Sequence, residues 1–517
     1  MLLIENAKIF GFKKLQGIFI ANEYIKEIND SEVLKRKYKD SKRIDAQGKR
    51  VLPGFNDAHL HLLGYAKLKT NLCLDKAKSI NEIIILGKKY LNENPKTTLL
   101  IASLYNDNNL LEKRLLTKDD LDLITKEIPI ICYRVCGHVC SINSKAIEIL
   151  NLSPGLKEVG YDIEIVDGKL NGILKDNAIS LVSKLENDLS IAKYQELIIA
   201  GIKDANKYGI TTLQVNDLTG DIETIKKILT AYNELATLGK LNARIIHQVT
   251  PETVEDLSII YTLFKNSNYL KLGALKLFLD GSLGANTAYL SKNYINTNHN
   301  GMLYLDSLTF SKYIEAAKKI NLPIYTHAIG DRAILYAISH LRNYNNRNAI
   351  IHAQVTTKEI LEEFQKTKIS TIVQPSFLHT DMHFVYDKLD QELISTSYAF
   401  KTLFNNTLTC FSSDSPVESL NPFLGIYHAV TRTDLEGRKI FNLHESMSVI
   451  NAIKAYTENG AYLSFEENIK GKIQEGYLAD LIIVDDDIYE TKIENIKDIK
   501  VLYTITGGKI VYSYLDE

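Results

Sequence analysis

Short apolar runs alternate with amphipathic stretches through most of the chain. Runs rich in β-branched residues predict strands, and apolar positions at helical spacing predict helices at 310–319 and 358–366. Near-continuous apolar strands that alternate with helices are typical of a parallel sheet with both faces covered. Eight such strands indicate an α/β protein with a closed (β/α)8 TIM barrel, and they are predicted at 51–55, 210–215, 243–249, 272–279, 322–327, 349–353, 369–374 and 408–412.

The two ends of the chain have a different pattern. Apolar runs at 2–10, 17–21 and 24–28 are separated by turn residues, and β character returns near the end at 479–485, 501–506 and 508–512. The simplest arrangement pairs 1–52 with 468–517 in a small β-sandwich domain and leaves 53–467 for the barrel. The stretch between the first two barrel strands is too long for one crossover. It predicts an inserted subdomain at about 68–190 that caps the barrel mouth.

Composition narrows the classes of function. The chain has 517 residues, 45% of them apolar and 24% charged, with a formal net charge of -2. More than one domain is expected at this length. The small net charge gives no strong electrostatic field that would favour binding to nucleic acid or to a membrane surface. We see no secretory signal and no apolar run of the roughly 20 residues that span a bilayer. Five cysteines do not indicate a disulfide framework, so the sequence predicts a cytoplasmic protein.

A His-x-His motif follows the first predicted barrel strand. His59 and His61 alternate, so their side chains point to the same side and can bind one divalent cation. A lone pair of this kind fits structural histidines equally well. Since the segment 53–58 reads as a tight exit from the strand, we expect the pair at its C-terminal end, where barrel enzymes place their sites.

Four other predicted strands carry potential ligands at or near their ends. Lys276 lies inside an apolar run, and lysine is almost never buried unpaired, so its amine either reaches solvent or is neutralised or used. His327, His352 and Asp414 each close a strand. Taken alone, each of these four residues is better explained by a structural role than by a functional one. Together with the histidine pair, they predict a functional site at one end of the barrel.

Several motifs resemble the amidohydrolase superfamily, and the resemblance runs over nearly the whole chain. The similar branch is that of the family-3 amidohydrolases that include N-substituted formamide deformylase. The motifs, in this order, are specific for superfamily and branch but not for substrate. They are PGFNDAHLH (53–61), LKLFLDGSLG (275–284), THAIGDRA (326–333), IHAQ (351–354), VQPS (373–376), SDSPV (413–417), NPFLGI (421–426) and IKGKIQEGYLADL (469–481).

The resemblance implies a role for each of the six residues. His59 and His61 would bind a first metal, and His327 and His352 a second. Lys276 would be N6-carboxylated and its carbamate would bridge both metals. Asp414 would bind the first metal and move the proton.

The resemblance also implies a reaction. Two divalent cations would make hydroxide available near neutral pH and polarise the substrate carbonyl. Asp414 would take the proton and pass it to the leaving nitrogen. The expected chemistry is hydrolysis of an amide, formamide or similar C–N bond. Zinc suits imidazole and carboxylate ligands, with iron and manganese left open.

Weaker candidates could contact the substrate. His138, in the insertion, resembles a substrate-facing segment of the branch, although a structural histidine fits as well. Asp331 could position a polar substrate, but a helix cap is the favoured interpretation. Gln374 and Asp381 fit the family. Cys132, Cys136 and Cys140 lack the spacing of a usual zinc site, and small buried residues are the better interpretation.

Two alternatives stay open at this point. The first is a mononuclear-metal deaminase of the same superfamily, which lacks the bridging lysine, so Lys276 argues against it. The second is a catalytically silent binding or regulatory homologue, because fold does not establish function. The expected partner is a small-molecule substrate, with a homodimer left open. The sequence does not name the substrate.

Overall fold

The fold is described from a computed structural model that covers residues 1–135, 139–154, 163–182, 184–185 and 189–516. The chain divides into two compact units. One unit combines Met1–Tyr65 with Ile198–Glu517, and the other is Ala66–Leu197. The predicted insertion at 68–190 falls within the second unit.

The strands are numbered in chain order. Those of the N-terminal part are β1 (Leu2–Ile9), β2 (Gln16–Ala21), β3 (Tyr24–Asn29), β4 (Lys42–Asp45), β5 (Arg50–Pro53) and β6 (Phe55–Leu60). The second unit contributes β7 (Leu72–Cys73), β8 (Leu100–Tyr105), β9 (Ile130–Arg134), β10 (Val139–Ile142), β11 (Ile163–Val166) and β12 (Lys169–Lys175). The remaining strands are β13 (Ile210–Gly220), β14 (Arg244–Pro251), β15 (Leu270–Phe278), β16 (Ile324–Ala328), β17 (Ala349–His352), β18 (Ser370–Val373), β19 (Thr409–Phe411), β20 (Leu481–Val484), β21 (Val501–Thr506) and β22 (Lys509–Ser513).

The α-helices are numbered in the same way. Up to the end of the second unit they are α1 (Ser31–Lys37), α2 (Leu62–Thr70), α3 (Ile80–Glu93), α4 (Lys118–Asp122), α5 (Ser144–Ile149) and α6 (Ile191–Lys207). The helices that follow are α7 (Ile222–Thr237), α8 (Val254–Leu263), α9 (Ser307–Lys319), α10 (Asp331–Leu341), α11 (Lys358–Thr367), α12 (Phe377–Asp381), α13 (Gln391–Thr396), α14 (Phe400–Asn406), α15 (Pro422–Thr431), α16 (Val449–Ala455) and α17 (Glu458–Leu463).

Eight parallel strands form the barrel, in the order β19-β18-β17-β16-β15-β14-β13-β6. The first and last strands meet because the Asp414 amide donates to the His59 carbonyl at 2.9 Å and the His61 amide donates to the Ser415 carbonyl at 2.8 Å. Strands β6, β17, β18 and β19 are buried along their whole length, as expected for a sheet covered on both faces. The predicted (β/α)8 barrel is confirmed.

The helices between barrel strands bury one apolar face. On α9 the buried residues are Phe310, Tyr313, Ile314 and Ala317, which recur at helical spacing. The Asp306 side chain accepts hydrogen bonds from the first-turn amides and starts this helix three residues before the predicted boundary at 310. Cap residues therefore set a boundary that hydrophobic periodicity alone does not show.

The first barrel strand begins later than the sequence predicts. The predicted strand at 51–55 is divided in the structure: β5 pairs with the terminal strands β1 and β20, and β6 starts the barrel at Phe55. Gly54 separates the two strands, and a Cβ added there would lie only 2.3 Å from Thr211 Oγ1. The Pro53-Gly54 pair is therefore the entry to the barrel strand, and not its exit.

Strands from both termini form a second sheet, in the order β22-β21-β20-β5-β1-β2-β3 with β4 paired to β1. Strand β20 runs antiparallel to β5 and joins the end of the chain to its beginning. Side chains from both termini share one apolar core, among them Ile4, Ile18, Leu481 and Ile505. This small β-domain matches the one predicted from the two ends.

The unit Ala66–Leu197 has its own sheet, in the order β11-β12-β10-β9-β8-β7. Its apolar core includes Leu100, Ile130 and Cys132, against which helix α3 packs Ile83. The insertion is therefore a folded unit with its own core. Its role as a cap over the barrel mouth stays a prediction. No helix within the described residues is long and apolar enough to cross a membrane.

Candidate metal centre

The two histidines of the His-x-His motif lie at the C-terminal end of β6. His59 is within the strand and His61 directly follows it. Their Nε2 atoms lie 3.4 Å and 3.3 Å from the same atom, Asp414 Oδ1. One ligand atom from each of the three residues lies within 4.8 Å of the others, a spacing that suits a single cation.

Asp414 comes from the last barrel strand and reaches the first. It follows β19, and its backbone adopts a φ of 55°. A left-handed conformation is uncommon for a residue other than glycine, and such strain is concentrated at functional sites. Its Oδ1 atom is buried and accepts no hydrogen bond from any of the described residues. The protein therefore holds an acceptor toward the two imidazoles and leaves it unsatisfied.

A second histidine pair comes from neighbouring strands. His327 is in β16 and His352 ends β17, and their ring centroids are 4.3 Å apart. The backbone of His352 also has a positive φ, 78°. The rings of His352 and His59 are 6.2 Å apart, so the second pair adjoins the first.

Lys276 is buried in β15 with none of its surface exposed. Its Nζ has no hydrogen-bond partner in the part of the chain that the structure describes. Burial lowers the pKa of Lys276 to about 7, against a partial opposing effect of Asp414 and Asp280. The positive charge of Lys276 acts on all four histidines. Lys276 therefore lies among the same ligands that the sequence groups with it.

Each imidazole has a hydrogen-bond acceptor on one nitrogen. The Nδ1–H of His61 donates to the Asn216 carbonyl at 3.3 Å, and the Nε2–H of His327 donates to the Gly281 carbonyl at 3.1 Å. His59 Nδ1 lies 2.6 Å from Gln248 Oε1, and His352 Nδ1 lies 2.8 Å from Gln374 Oε1. One nitrogen per ring is therefore anchored and the other is available as a ligand.

Electrostatics favour neutral imidazoles at three of the four positions. Burial lowers the pKa of His327 to about 3, and it lowers the pKa values of His59 and His352 well below the ordinary value. Burial lowers the pKa of His61, but the nearby Asp414 carboxylate outweighs this effect and the pKa is raised. Neutral imidazole is the form that binds a metal.

Asp280 organises the loop that follows the lysine strand. Its carboxylate accepts hydrogen bonds from the backbone amides of Tyr289, Ile329 and Gly330 at 2.8 to 3.0 Å. Its Oδ1 atom is 3.6 Å from His327 Nε2. Sequence analysis did not assign Asp280 a role, although its position four residues after Lys276, in an otherwise apolar run, was a signal.

The weaker candidates lie in different surroundings. The helix-cap interpretation of Asp331 is wrong, because Gly330 is the N-cap of α10 and no side chain caps this helix. The buried Asp331 carboxylate instead accepts a hydrogen bond from the Ser291 amide at 2.8 Å. Asp381 Oδ2 accepts from Gln354 Nε2 at 3.0 Å and from the Tyr398 hydroxyl at 2.6 Å. Gln374 is buried beside His352. Their predicted contacts with a substrate stay predictions.

Two of the sequence candidates lie outside the described residues, namely His138 and Cys136. The other two cysteines of that group, Cys132 and Cys140, are buried thiols on the paired strands β9 and β10. Burial strongly raises the pKa of Cys132. A buried thiol of this kind fits the interpretation of small apolar residues.

Comparison with known proteins agrees with this geometry. The model of the Amidohydrolase family matches residues 42–512. YtcJ of Bacillus subtilis (strain 168), which is named as an amidohydrolase, is 31% identical over 513 residues, 96% of each chain. N-substituted formamide deformylase of Arthrobacter pascens is 22% identical over 497 residues, 92% of this chain and 90% of that protein.

A solved structure shows the same architecture. The crystal structure of an uncharacterized metal-dependent hydrolase from Pyrococcus furiosus is 28% identical, with a TM-score of 0.82, over 94% of this chain and 99% of that chain. The family match and these relatives show a metal-dependent hydrolase fold over nearly the full length. The chain belongs to the amidohydrolase family, in its family-3 branch, and is a hydrolase of that metal-dependent superfamily.

Proposed function

We propose that this protein is a two-metal hydrolase that cleaves an amide, formamide or related C–N bond. The observation that carries the proposal is the set of donors at the barrel strand ends, among which the buried Lys276 Nζ has no hydrogen-bond partner within the described residues. The name of the relative from Arthrobacter pascens, N-substituted formamide deformylase, supports the bond class.

The residues present fit two divalent cations. His59 and His61 would hold the first metal with Asp414, whose unsatisfied Oδ1 faces both imidazoles. His327 and His352 would hold the second. Imidazole and carboxylate donors suit zinc. When bound, the metals would lower the pKa of a coordinated water and polarise the substrate carbonyl.

Lys276 would bridge the two metals after carboxylation. Its neutral amine adds to carbon dioxide, so that an N–C bond forms, a proton leaves the nitrogen and the product is an anionic carbamate. A carbamate turns a buried cation, which is costly to keep unpaired, into a ligand with two oxygens. The lack of a carboxylate partner for Lys276 within the described residues supports this step.

Asp414 would move the proton. Its carboxylate would accept the proton of the attacking water and deliver it to the leaving nitrogen, as a general base and then a general acid. The strained backbone at this residue holds the carboxylate toward the two histidines. Among the candidate substrate contacts, we propose Asp381, the last residue of the short helix α12 that follows β18. The cytoplasmic location and a homodimer stay predictions.

The test is hydrolysis of a panel of N-substituted formamides and simple amides by zinc-loaded protein. Asp414→Asn should lower kcat by about 10²- to 10⁴-fold, the usual contribution of a general acid–base group. Asp306→Asn is the matched control, because it changes the same charge at an exposed helix cap outside the site.

Each outcome separates the proposal from its alternatives. Turnover that depends on Asp414 and not on Asp306 supports the proposal. Two metals bound without turnover of any member of the panel would favour a silent binding homologue. One metal per chain, with turnover of amino-substituted ring substrates in place of amides, would favour a mononuclear deaminase.

A further inference from the structure

Two buried glutamines contact one histidine of each proposed metal pair. Gln248 Oε1 lies 2.6 Å from His59 Nδ1, and Gln374 Oε1 lies 2.8 Å from His352 Nδ1. Both glutamine side chains are almost completely buried. The partner histidines His61 and His327 are held by backbone carbonyls. A substitution can remove a side-chain partner but not a backbone carbonyl. The two glutamines are therefore the histidine partners that mutagenesis can test.

The orientation of each glutamine amide is fixed by its second contact. Gln248 Nε2 donates to the Ala58 carbonyl at 2.8 Å. Gln374 Nε2 donates to Ser412 Oγ at 2.8 Å and to the Ile372 carbonyl at 3.2 Å. With each nitrogen occupied as a donor, each Oε1 faces the imidazole as an acceptor. The imidazole must then carry its proton on Nδ1, which leaves the Nε2 lone pair for a metal.

The two glutamines also connect strands that carry different ligands. Gln248 is on β14, which is not a neighbour of β6 in the sheet, so its side chain passes β13 to reach Ala58 and His59. Gln374 follows β18 and contacts His352 on β17 and Ser412 after β19. Ser412 is two residues before Asp414. Proposed ligands on or next to three strands, β6, β17 and β19, are therefore connected by two amide groups.

We propose that Gln248 and Gln374 are positioning residues, one for each metal, that fix the tautomer and direction of His59 and His352. This inference rests on the proposed two-metal function. Outer partners of metal-binding histidines set ring orientation and basicity, and their loss usually weakens metal binding by about 10- to 100-fold. A neutral amide makes the histidine less basic than a carboxylate partner would, so the histidine donates less electron density to the metal. The glutamine would therefore fix the geometry and leave the metal strongly electrophilic.

The experiment measures cobalt(II) binding by competition with a chelator, together with the visible absorption of the bound ion. Gln374→Leu should weaken one site by about 10- to 100-fold and Gln248→Leu the other. Gln214→Leu is the matched control: Gln214 is equally buried in the barrel, but its Nε2 donates to Asn56 Oδ1 and the Gly460 carbonyl and contacts no histidine. It should bind cobalt as the wild type does.

Two further variants keep the test decisive if a leucine variant folds poorly. Gln374→Asn keeps a polar amide but is one methylene too short to reach His352, so it should lose affinity as the leucine variant does. Gln374→Glu keeps the acceptor on His352, and the Ser412 hydroxyl can donate to it, but the Ile372 carbonyl loses its donor. It should therefore retain more affinity than Gln374→Leu and Gln374→Asn. Wild-type affinity in Gln248→Leu, Gln374→Leu and Gln374→Asn would overturn the inference. A wild-type protein that binds no cobalt would overturn the metal centre itself.

Discussion

Buried polar groups at the two ends of strand β14 differ in whether they have hydrogen-bond partners within the protein. At its start, Arg244 forms two hydrogen bonds with Asp480 of the β-domain, at 2.7 Å and 3.0 Å, and both side chains are buried. Near its end, Gln248 holds a histidine beside Lys276 and Asp414, whose Nζ and Oδ1 atoms have no hydrogen-bond partner within the described residues. Burial is equal at the two ends, but the partners are different.

The difference separates charges that are paired within the protein from charges at the proposed metal centre, which have no hydrogen-bond partner among the described residues. Near Arg244, the buried Glu466 forms ion pairs with Lys271 and Lys470, so each charge at this balanced end has a partner within the protein. At the C-terminal ends of the strands, the protein leaves its charges unbalanced. In barrel enzymes the N-terminal face contributes to stability and the C-terminal face to catalysis. The buried ion pair lies at the N-terminal end of β14, and the proposed metal centre adjoins its C-terminal end.

The largest expected effect comes from removing a partner at the balanced end. Asp480→Ala leaves Arg244 buried without its carboxylate and should lower the free energy of unfolding by about 3–5 kcal/mol. Denaturant unfolding followed by circular dichroism measures this loss. Asp485→Ala is the control, since this partly exposed carboxylate accepts a hydrogen bond from the Lys500 amide and has no ion pair among the described residues. An equal effect in both variants would break the distinction between the two ends.

A smaller effect is expected from acid. Burial raises the pKa of Glu466, but Lys470 and Lys271 outweigh it and lower the pKa from 4.5 to about 2. Because the folded pKa is depressed, the contribution to stability is present above pH 4.5 and is lost as the pH falls toward 2. The full shift corresponds to about 3 kcal/mol.

This acid effect is measured by comparing unfolding at pH 5 and pH 3. The fall in stability should be shallower in Glu466→Gln than in the wild type, whereas the exposed Glu494→Gln should follow the wild type. An unchanged slope in Glu466→Gln would show that this ion cluster does not stabilise the fold.

The smallest effect is expected at the unbalanced end. In metal-free protein, Lys276→Met should change the free energy of unfolding by no more than about 1 kcal/mol, or should raise it. A buried charge with no protein partner is often replaced by an apolar side chain without cost. Chelator-treated protein and denaturant unfolding test this expectation. A loss of several kcal/mol would mean that Lys276 has a structural partner.

Sequence patterns predicted the barrel and most of its strands because strand residues are buried on both faces and read as apolar runs. They placed the start of the first barrel strand wrongly, since the apolar run at 51–55 covers both the end of β5 and the start of β6, which pair with strands of different sheets. His327 and His352 could be predicted as candidates because each one interrupts or ends an apolar run that predicts a strand.

The outer layer of the site was not visible in the sequence. Gln248 and Asp280 act on residues far away in the chain, and a polar residue at the end of a strand does not show which group it will contact. Gln374 was predicted as a substrate contact, and only the structure shows its amide against His352. The positive φ at His352 and Asp414 is likewise a property of the folded barrel.

The most direct test of the metal centre is elemental mass spectrometry of protein purified without chelators, with wild type and Lys276→Ala compared. We predict about two divalent metals per wild-type chain and a sharp fall in the variant, because the bridging ligand is lost. One metal per chain that is unchanged in Lys276→Ala would remove this lysine from the site and contradict the two-metal account.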